Sequence, residues 1–392
     1  MTSPAQPKTL IHPTHRAIGL ALSGGGVRAV AFHAGALRRL AEMGRLGQVV
    51  HASTVSGGSI FTGLVFHFSG YRWPSDHAYL TEVFPRVRNL LTSSSLQRNA
   101  LLRLALPCNW RYLTSRANVI AQSLESDWKI QVPLEFLPAH PVWSINGSCS
   151  ESGRRFRFKS CEMGDYESGY AQAPGFPLAT AMAMSAAFPG GIGPVTLVTS
   201  RYSWTKKATW NDKTAKPHKP QFARLHLYDG GVYDNLGLEP LFDIGKQEIR
   251  PPEEREQRAP AINYLLVSDA GLGFARKSLP HPLNPRRLQR VADLAFDQIR
   301  ALRIRALMNY FNNHPDAGAL LPIGFGPPDG EPAPSTGPYM KREDAVAAAK
   351  VKTSLGRLRS EEFDLVALHG YETAHWAAKN LALVEAKSQN SK

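Results

Sequence analysis

AIGLALSGGGVRAVAFHAGALRRLAEMGRLGQVVHASTVSGGSIFTGLVFHF, residues 17–68, decides the fold. AIGLALSG reads as a buried strand, because small and branched apolar residues run almost unbroken into glycine. From Val27 to Met43 the apolar residues Val30, Ala34, Leu37 and Leu40 recur at helical spacing, with Arg38, Arg39 and Glu42 on the other side. QVVHASTV predicts a second short strand running into SGGS, and IFTGLVFHF resumes a helical pattern. The order strand, glycine loop, helix, strand, tight turn, helix is that of an α/β fold.

The 392 residues carry 46 Lys and Arg against 32 Asp and Glu, a formal net charge of +14, with 43% hydrophobic and 20% charged residues. That mixture excludes a disordered tail and a collagen-like fibre and leaves ample apolar sequence for a core. The positive balance favours acidic surfaces as partners, meaning nucleic acid or anionic lipid headgroups. Cys108, Cys149 and Cys161 form neither a disulfide framework nor a metal-ligand spacing, which points to a reducing compartment. The opening residues hold no signal-peptide core, and no later segment has the roughly eighteen apolar residues that span a bilayer, so a soluble cytoplasmic protein is expected.

Further along, residues 71–129 turn helical and basic; NLLTSSSLQRNALLRLALP mixes leucines with Arg98 and Arg103 and suits a cap or a membrane-facing helix. PVWSING and RRFRFKS flank a Ser/Gly turn and predict a β-hairpin. LATAMAMSAAF, 178–188, predicts a small-residue helix closed by Pro189. RYSWTKKATWNDKTAKPHKP, 201–220, has no regular period and reads as a long exposed loop. FARLHLYDGG predicts a strand ending on a glycine turn, and AINYLLVSDA a buried strand. Beyond Gly273 come a basic helical region to about Asn312, a Gly/Pro-rich loop from Gly318 to Pro338 and two closing helices around Gly370. The expected organisation is a leader at 1–15 and a single catalytic domain over 16–392, with insertions at about 71–140 and 199–222 and a helical C-terminal region at about 276–392.

Gly24, Gly25, Gly26, Val27, Arg28 and Ala29 match the form of the dinucleotide fingerprint GxGxxG/A, but the acid that would hold a ribose is missing. The second strand ends Val50, His51, Ala52, Ser53, Thr54. No GK[ST] follows, which excludes a P-loop as well. Successive glycines at a helix N-terminus can instead turn backbone N–H groups toward one point where the helix dipole also favours negative charge, making an oxyanion hole for acyl transfer. A glycine turn that merely permits close helix packing is the other reading. Ser56 sits between the second strand and the next helix, where a nucleophile elbow exposes a hydroxyl, or where a serine simply caps the helix. Asp229 ends a strand before Gly230 and Gly231; it can take the Ser56 proton directly or stabilise its own turn. With such a pair no histidine needs a catalytic role, and His33, His51 and His226 read as packing residues.

Together SGGGVRA, TVSGGS and DGGVYDNLGLEPL resemble, in the right order, the glycine-rich loop, nucleophile elbow and catalytic-aspartate motif of the patatin-like phospholipase family. LATAMAMSAAFPGGIGPV is similar to its small-residue helix and Pro turn, and TSLGRL with HGYETA to its helical tail. The resemblance implies a three-layer α/β fold with a central, mostly parallel sheet flanked by helices. It implies Ser56 as nucleophile, Asp229 as base and Gly24, Gly25 and Gly26 as oxyanion donors, with no metal or organic cofactor. The implied activity is that of a serine acyl hydrolase cleaving esters of membrane phospholipids or lysophospholipids through an acyl-enzyme intermediate. A neutral-lipid or other carboxylester hydrolase on the same dyad is the alternative. A basic nucleic-acid-binding protein is a different class, but no helix-turn-helix, zinc-finger or RNA-binding signature accompanies the charge, so no nucleic acid is expected as partner.

Two positions depart from the family pattern: Ala29 replaces the glycine that often follows the loop arginine, and Thr54 replaces the first elbow glycine. Arg28 steadies the oxyanion loop, steers an anionic headgroup or forms an ordinary salt bridge. The expected partner is a phospholipid membrane surface, anionic and peripherally bound. Lys206, Lys207, Lys213, Lys216 and Lys219 would attract headgroups while Trp204 and Trp210 settle among them, against a solvated loop as the rival reading. The leucine-rich segment from Asn89 to Arg116 is the next candidate surface.

Overall fold

The computed structural model describes residues 16–189, 191–207, 214–252, 260–271, 278–281, 284, 286–327 and 340–381. β1 (Ile18–Leu22), α1 (Gly26–Glu42), β2 (Val49–Val55) and α2 (Gly57–Phe68) reproduce the order read from the sequence. The segment expected to be helical and basic holds α3 (Phe84–Ser93), α4 (Leu96–Leu104) and α5 (Ala117–Ser126). β3 (Val142–Cys149) and β4 (Arg155–Phe158) form the expected hairpin. β5 (Glu162–Asp165), β6 (Gly169–Gln172), α6 (Leu178–Ser185), β7 (Val195–Val198), β8 (Trp204–Lys206), β9 (Lys216–His218) and β10 (Arg224–Asp229) follow. β11 (Tyr264–Asp269), α7 (Arg286–Asn313), β12 (Gly318–Pro322), α8 (Arg342–Lys350) and α9 (Ser360–Ala377) complete the described chain.

Five strands in the order β12-β11-β1-β2-β3 are parallel, and β3 leads antiparallel through β4, β5, β6 and β8 to β9. β1 and β11 are buried along their whole length, which is why they read as unbroken apolar runs rather than as an alternation. Ile18, Leu20 and Leu22 join the cluster that contains α1, while Ala21 joins Leu307 and Phe311 of α7 in a second cluster. Helices thus cover both faces of the parallel strands. The chain departs from β1 toward β2 on one side and returns through β11 on the other. The crevice at the carboxyl ends of these strands is where such sheets place ligands.

Three expectations need correction. Gly318–Pro322 is a strand paired with β11, not part of a loop. Gly370 does not separate two helices but lies inside α9, where that helix crosses α1: a Cβ on Gly370 would stand 1.9 Å from the Phe32 carbonyl oxygen, and one on Gly35 would stand 1.7 Å from that of Ala367. Within 201–220, read from the sequence as a long exposed loop, Trp204–Lys206 and Lys216–His218 are strands, β8 pairing with β6 and with β9. Trp204 is buried in this sheet and donates its indole N–H to the Thr199 carbonyl at 2.9 Å, so it cannot settle at a membrane surface. Lys206 is engaged with Glu167, while Lys216 and Lys219 are exposed. Trp210, Lys213 and the expected leader lie outside the described residues. Among the described residues no helix is long and apolar enough to cross a membrane.

The α1–α9 crossing sets a stability test. Gly35→Ala is expected to cost about 1–3 kcal/mol in urea unfolding, the usual penalty of overpacking. Gly47→Ala, with open space around the added carbon, should change it by less than about 0.5 kcal/mol. Equal effects of the two substitutions would mean that the helices do not approach this closely.

Candidate active site

The site is assembled on one edge of β3. β2 pairs with it in parallel up to Val55, which lies opposite Asn146. From the next residue on, the same strand pairs antiparallel with β10, whose last residue Asp229 lies opposite Gly147. Two strands arriving from opposite directions therefore end head to head, and their termini deliver Ser56 and Asp229 to one place. Ser56 has φ 52 and ψ −116, a backbone conformation rare for a side-chain-bearing residue. Such strain persists only where the surroundings enforce it.

Those surroundings form a buried chain of hydroxyls. Ser185 donates its single proton to the Asn146 carbonyl at 2.7 Å. Its oxygen therefore accepts from the Ser56 N–H at 3.0 Å and from the Ser59 hydroxyl at 2.8 Å. Ser59 in turn accepts from Thr54 at 2.8 Å, and Thr54 accepts from the Trp143 indole at 2.8 Å. Every proton direction in the chain follows from its two ends. The Thr54 hydroxyl, which stands where the family pattern has glycine, is thus a working member of the support beneath Ser56. Ala29 lies against Gly25 and Gly57, a place that only a small side chain fits.

Asp229 is buried, and burial pushes its carboxyl up to about 7; the N–H of Gly231, 2.7 Å from Oδ1, and the interaction with the Ser56 hydroxyl oppose part of that rise. A hydroxyl thus stands beside a carboxylate poised to take up or give back a proton near neutral pH. Histidines lie elsewhere. His33 is buried between the Ser268 hydroxyl and the Ser23 carbonyl, and desolvation holds it neutral, with its pKa lowered to about 4. His51 bonds Ser144, and His226 bonds Glu151. Among the described residues no histidine lines the cavity.

The glycine loop borders Ser56, since a Cβ on Gly24 would stand 3.1 Å from that of Ser56. Gly25 and Gly26 take φ 142 and 59, which open the loop ahead of α1. The three amides are not equivalent. Gly24 donates to the Asn235 carbonyl at 3.0 Å, whereas Gly25 and Gly26 find no backbone or side-chain acceptor among the described residues. Two N–H groups at a helix N-terminus remain for an anion. Arg28 is buried and donates to the carbonyls of Ala349, Val351 and Ala270, which anchors the glycine loop. The Val27 amide bonds the Ser354 carbonyl at 2.9 Å, so TSLGRL straps the start of α1.

Ser185, Asn146 and Ser354 carry roles that the sequence pattern does not assign, although LATAMAMSAAF, PVWSING and TSLGRL contain them; Asn235, in DGGVYDNLGLEPL, reads from sequence only as a residue that shapes the turn after Asp229.

Ser56, Asp229 and the three glycines line one cavity of about 620 Å³. Ala100, Leu104, Val119, Ile120, Phe188 and Ile192 form much of its wall, a lining suited to an acyl chain. Among the described residues no cluster of His, Cys, Asp or Glu suits a metal ion.

Residues 20–242 match the family model described as Patatin-like phospholipase. Among solved structures, human GIVD cytosolic phospholipase A2 is 15% identical with a TM-score of 0.52, covering 95% of this chain and 62% of that one. The same human protein in complex with methyl gamma-linolenyl fluorophosphonate matches at 15% identity and TM-score 0.47, covering 97% and 60%. VipD from Legionella pneumophila matches at 15% and 0.32, covering 94% and 67%. The chain therefore spans less than two thirds of the human protein's length, and the first of these likenesses speaks for the α/β fold. A search of curated proteins found no match.

The buried carboxyl sets a pH test. A carboxylate accepts a proton only when ionised, so kcat/KM for a soluble short-chain ester is expected to fall about tenfold per pH unit below about 7. Asp229→Asn should lose about 10²–10⁴-fold and the pH dependence with it. A profile flat across neutral pH, or a single His→Ala variant that matched this loss while Asp229→Asn did not, contradicts the pairing.

Proposed function

The chain belongs to the patatin-like phospholipase family, and from that premise we propose that it is a serine acyl hydrolase that cleaves ester bonds of phospholipids or lysophospholipids. The observation that carries the reading is the head-to-head delivery of Ser56 and Asp229 to the wall of one largely apolar cavity. In the proposed reaction the Ser56 hydroxyl oxygen attacks the ester carbonyl carbon while its proton passes to Asp229. The carbonyl oxygen, now negative, is held by the Gly25 and Gly26 amides, each such donor contributing about 2.7–4 kcal/mol. Collapse breaks the bond to the leaving alcohol, which takes the proton from Asp229. Water then attacks the acyl-serine ester, gives its proton to Asp229 and releases the fatty acid, and the proton returns to Ser56.

Arg116 favours a phospholipid over a neutral lipid. It lines the cavity, and among the described residues its guanidinium bonds only the carbonyls of Leu113 and Gly191. A cation satisfied by neutral carbonyls has capacity left for a phosphate. A neutral-lipid or other carboxylester hydrolase on the same dyad is the second reading, favoured by the apolar lining, which accepts an acyl chain from either source.

Incubating the purified chain with mixed phospholipids, lysophospholipids and triacylglycerols, and identifying released acids by mass spectrometry, separates these readings. Fatty acid should come from the phosphate-bearing lipids and fall to background with Ser56→Ala. Release from triacylglycerol alone would select the second reading, and undiminished release by Ser56→Ala would remove both.

A further inference from the structure

Between Val83 and Leu124 the chain holds six arginines and no acidic residue. This segment carries α4, which packs against α5 and walls one side of the cavity. α4 is amphipathic in the wrong sense for a free surface. Leu96 and Ala100 point inward, while Arg98, Leu101, Leu102 and Ala105, spaced as one helical face, are exposed. The exposed apolar surface continues through Leu106, Trp110 and Leu113, each more than half exposed. Leu101 also lines the cavity that holds Ser56. On α7, which contributes Phe296 to the same cavity, Leu288 and Val291 are likewise more than half exposed. Phe188 and Phe296, with ring centroids 6.5 Å apart, join the two sides.

Resting on the lipid-hydrolase reading, we propose that the outer face of α4 and the following turn, residues 98–116, is the docking surface for an anionic phospholipid bilayer. Leu102, Leu106, Trp110 and Leu113 enter the headgroup boundary, and Arg98 and Arg111 meet the lipid phosphates. Exposed apolar side chains on this scale mark an interaction site, and apolar residues interleaved with arginine are the composition of an interfacial segment. Charge argues for lipid over a second copy of this chain. Arg103 is paired with Asp127, but neither Arg98 nor Arg111 has an acidic partner among the described residues, so an isologous contact would bring these uncompensated arginines of two copies together. Position argues the same way: Leu101 belongs to both the docking face and the cavity wall, so an acyl chain would pass from bilayer to Ser56 along continuous apolar surface.

The test is co-sedimentation of the full chain with vesicles of equal parts phosphatidylcholine and phosphatidylglycerol, at low and high salt. A variant combining Leu102→Gln, Leu106→Gln, Trp110→Gln and Leu113→Gln should bind at least about tenfold more weakly at both salts. Its turnover of a soluble short-chain ester should stay at the wild-type level, which also reports its folding. Arg98→Gln with Arg111→Gln should weaken binding at low salt and much less at high salt. Wild-type-like sedimentation of the quadruple variant overturns the proposal. So does a wild-type dimer that the variant dissociates while neither form binds vesicles. A wild-type chain that binds vesicles through these residues but hydrolyses no lipid upholds the surface and removes the catalytic reading instead.

Discussion

One edge of β3 has to serve two strands that run in opposite directions, and the rest of the site depends on that division. β2 occupies it as far as Asn146 and β10 takes over at Gly147. A shift of either register by one residue would turn Val55 or Asp229 to the opposite face of the sheet. Asn146 secures the junction from beneath. Its side-chain amide donates to the Ser53 hydroxyl and the Thr54 carbonyl, and its own carbonyl accepts from Ser185, which holds the Ser56 N–H. Backbone pairing thus fixes where the two chain ends meet, and side-chain hydrogen bonds fix how Ser56 leaves the sheet.

Burial does the electrostatic work. An exposed aspartate is fully ionised at neutral pH and a poor proton acceptor. Enclosing Asp229 raises its carboxyl to about 7, near the value at which a base is most effective. The same desolvation lowers His33 and His369 to about 4, leaving them neutral and available as hydrogen-bonding props. His33 does this beneath the glycine loop, bonding the Ser23 carbonyl, and His369 accepts from the Gly324 amide. One physical effect thus gives the acid a poised proton and keeps charge off the nearby imidazoles.

Much of this was legible before the structure because it is written in local pattern. The opening β-α-β-α unit follows from apolar runs and helical spacing, and the Ser56 and Asp229 motifs from glycines placed where strands end. What was not legible depends on partners distant in sequence. Gly318–Pro322 becomes a strand because β11 offers it a parallel edge. Trp204, read as a surface anchor among lysines, is buried because β8 adds to the antiparallel half of the sheet. The unequal standing of the three glycine amides follows from Asn235, more than two hundred residues downstream, which occupies the first of them. Thr54 looked like a flaw in the elbow until Trp143 and Ser59 came within hydrogen-bonding distance of its hydroxyl.

The meeting of the two strand ends is expected to make Ser56 a nucleophile. Rapid quenching of the purified chain during turnover of a chromogenic fatty-acyl ester, followed by peptide mass mapping, tests it most directly. An acyl group on Ser56 should accumulate before the steady state and be absent from Ser56→Ala. Turnover with the acyl group on another residue, or with no covalent acyl group at all, would contradict it.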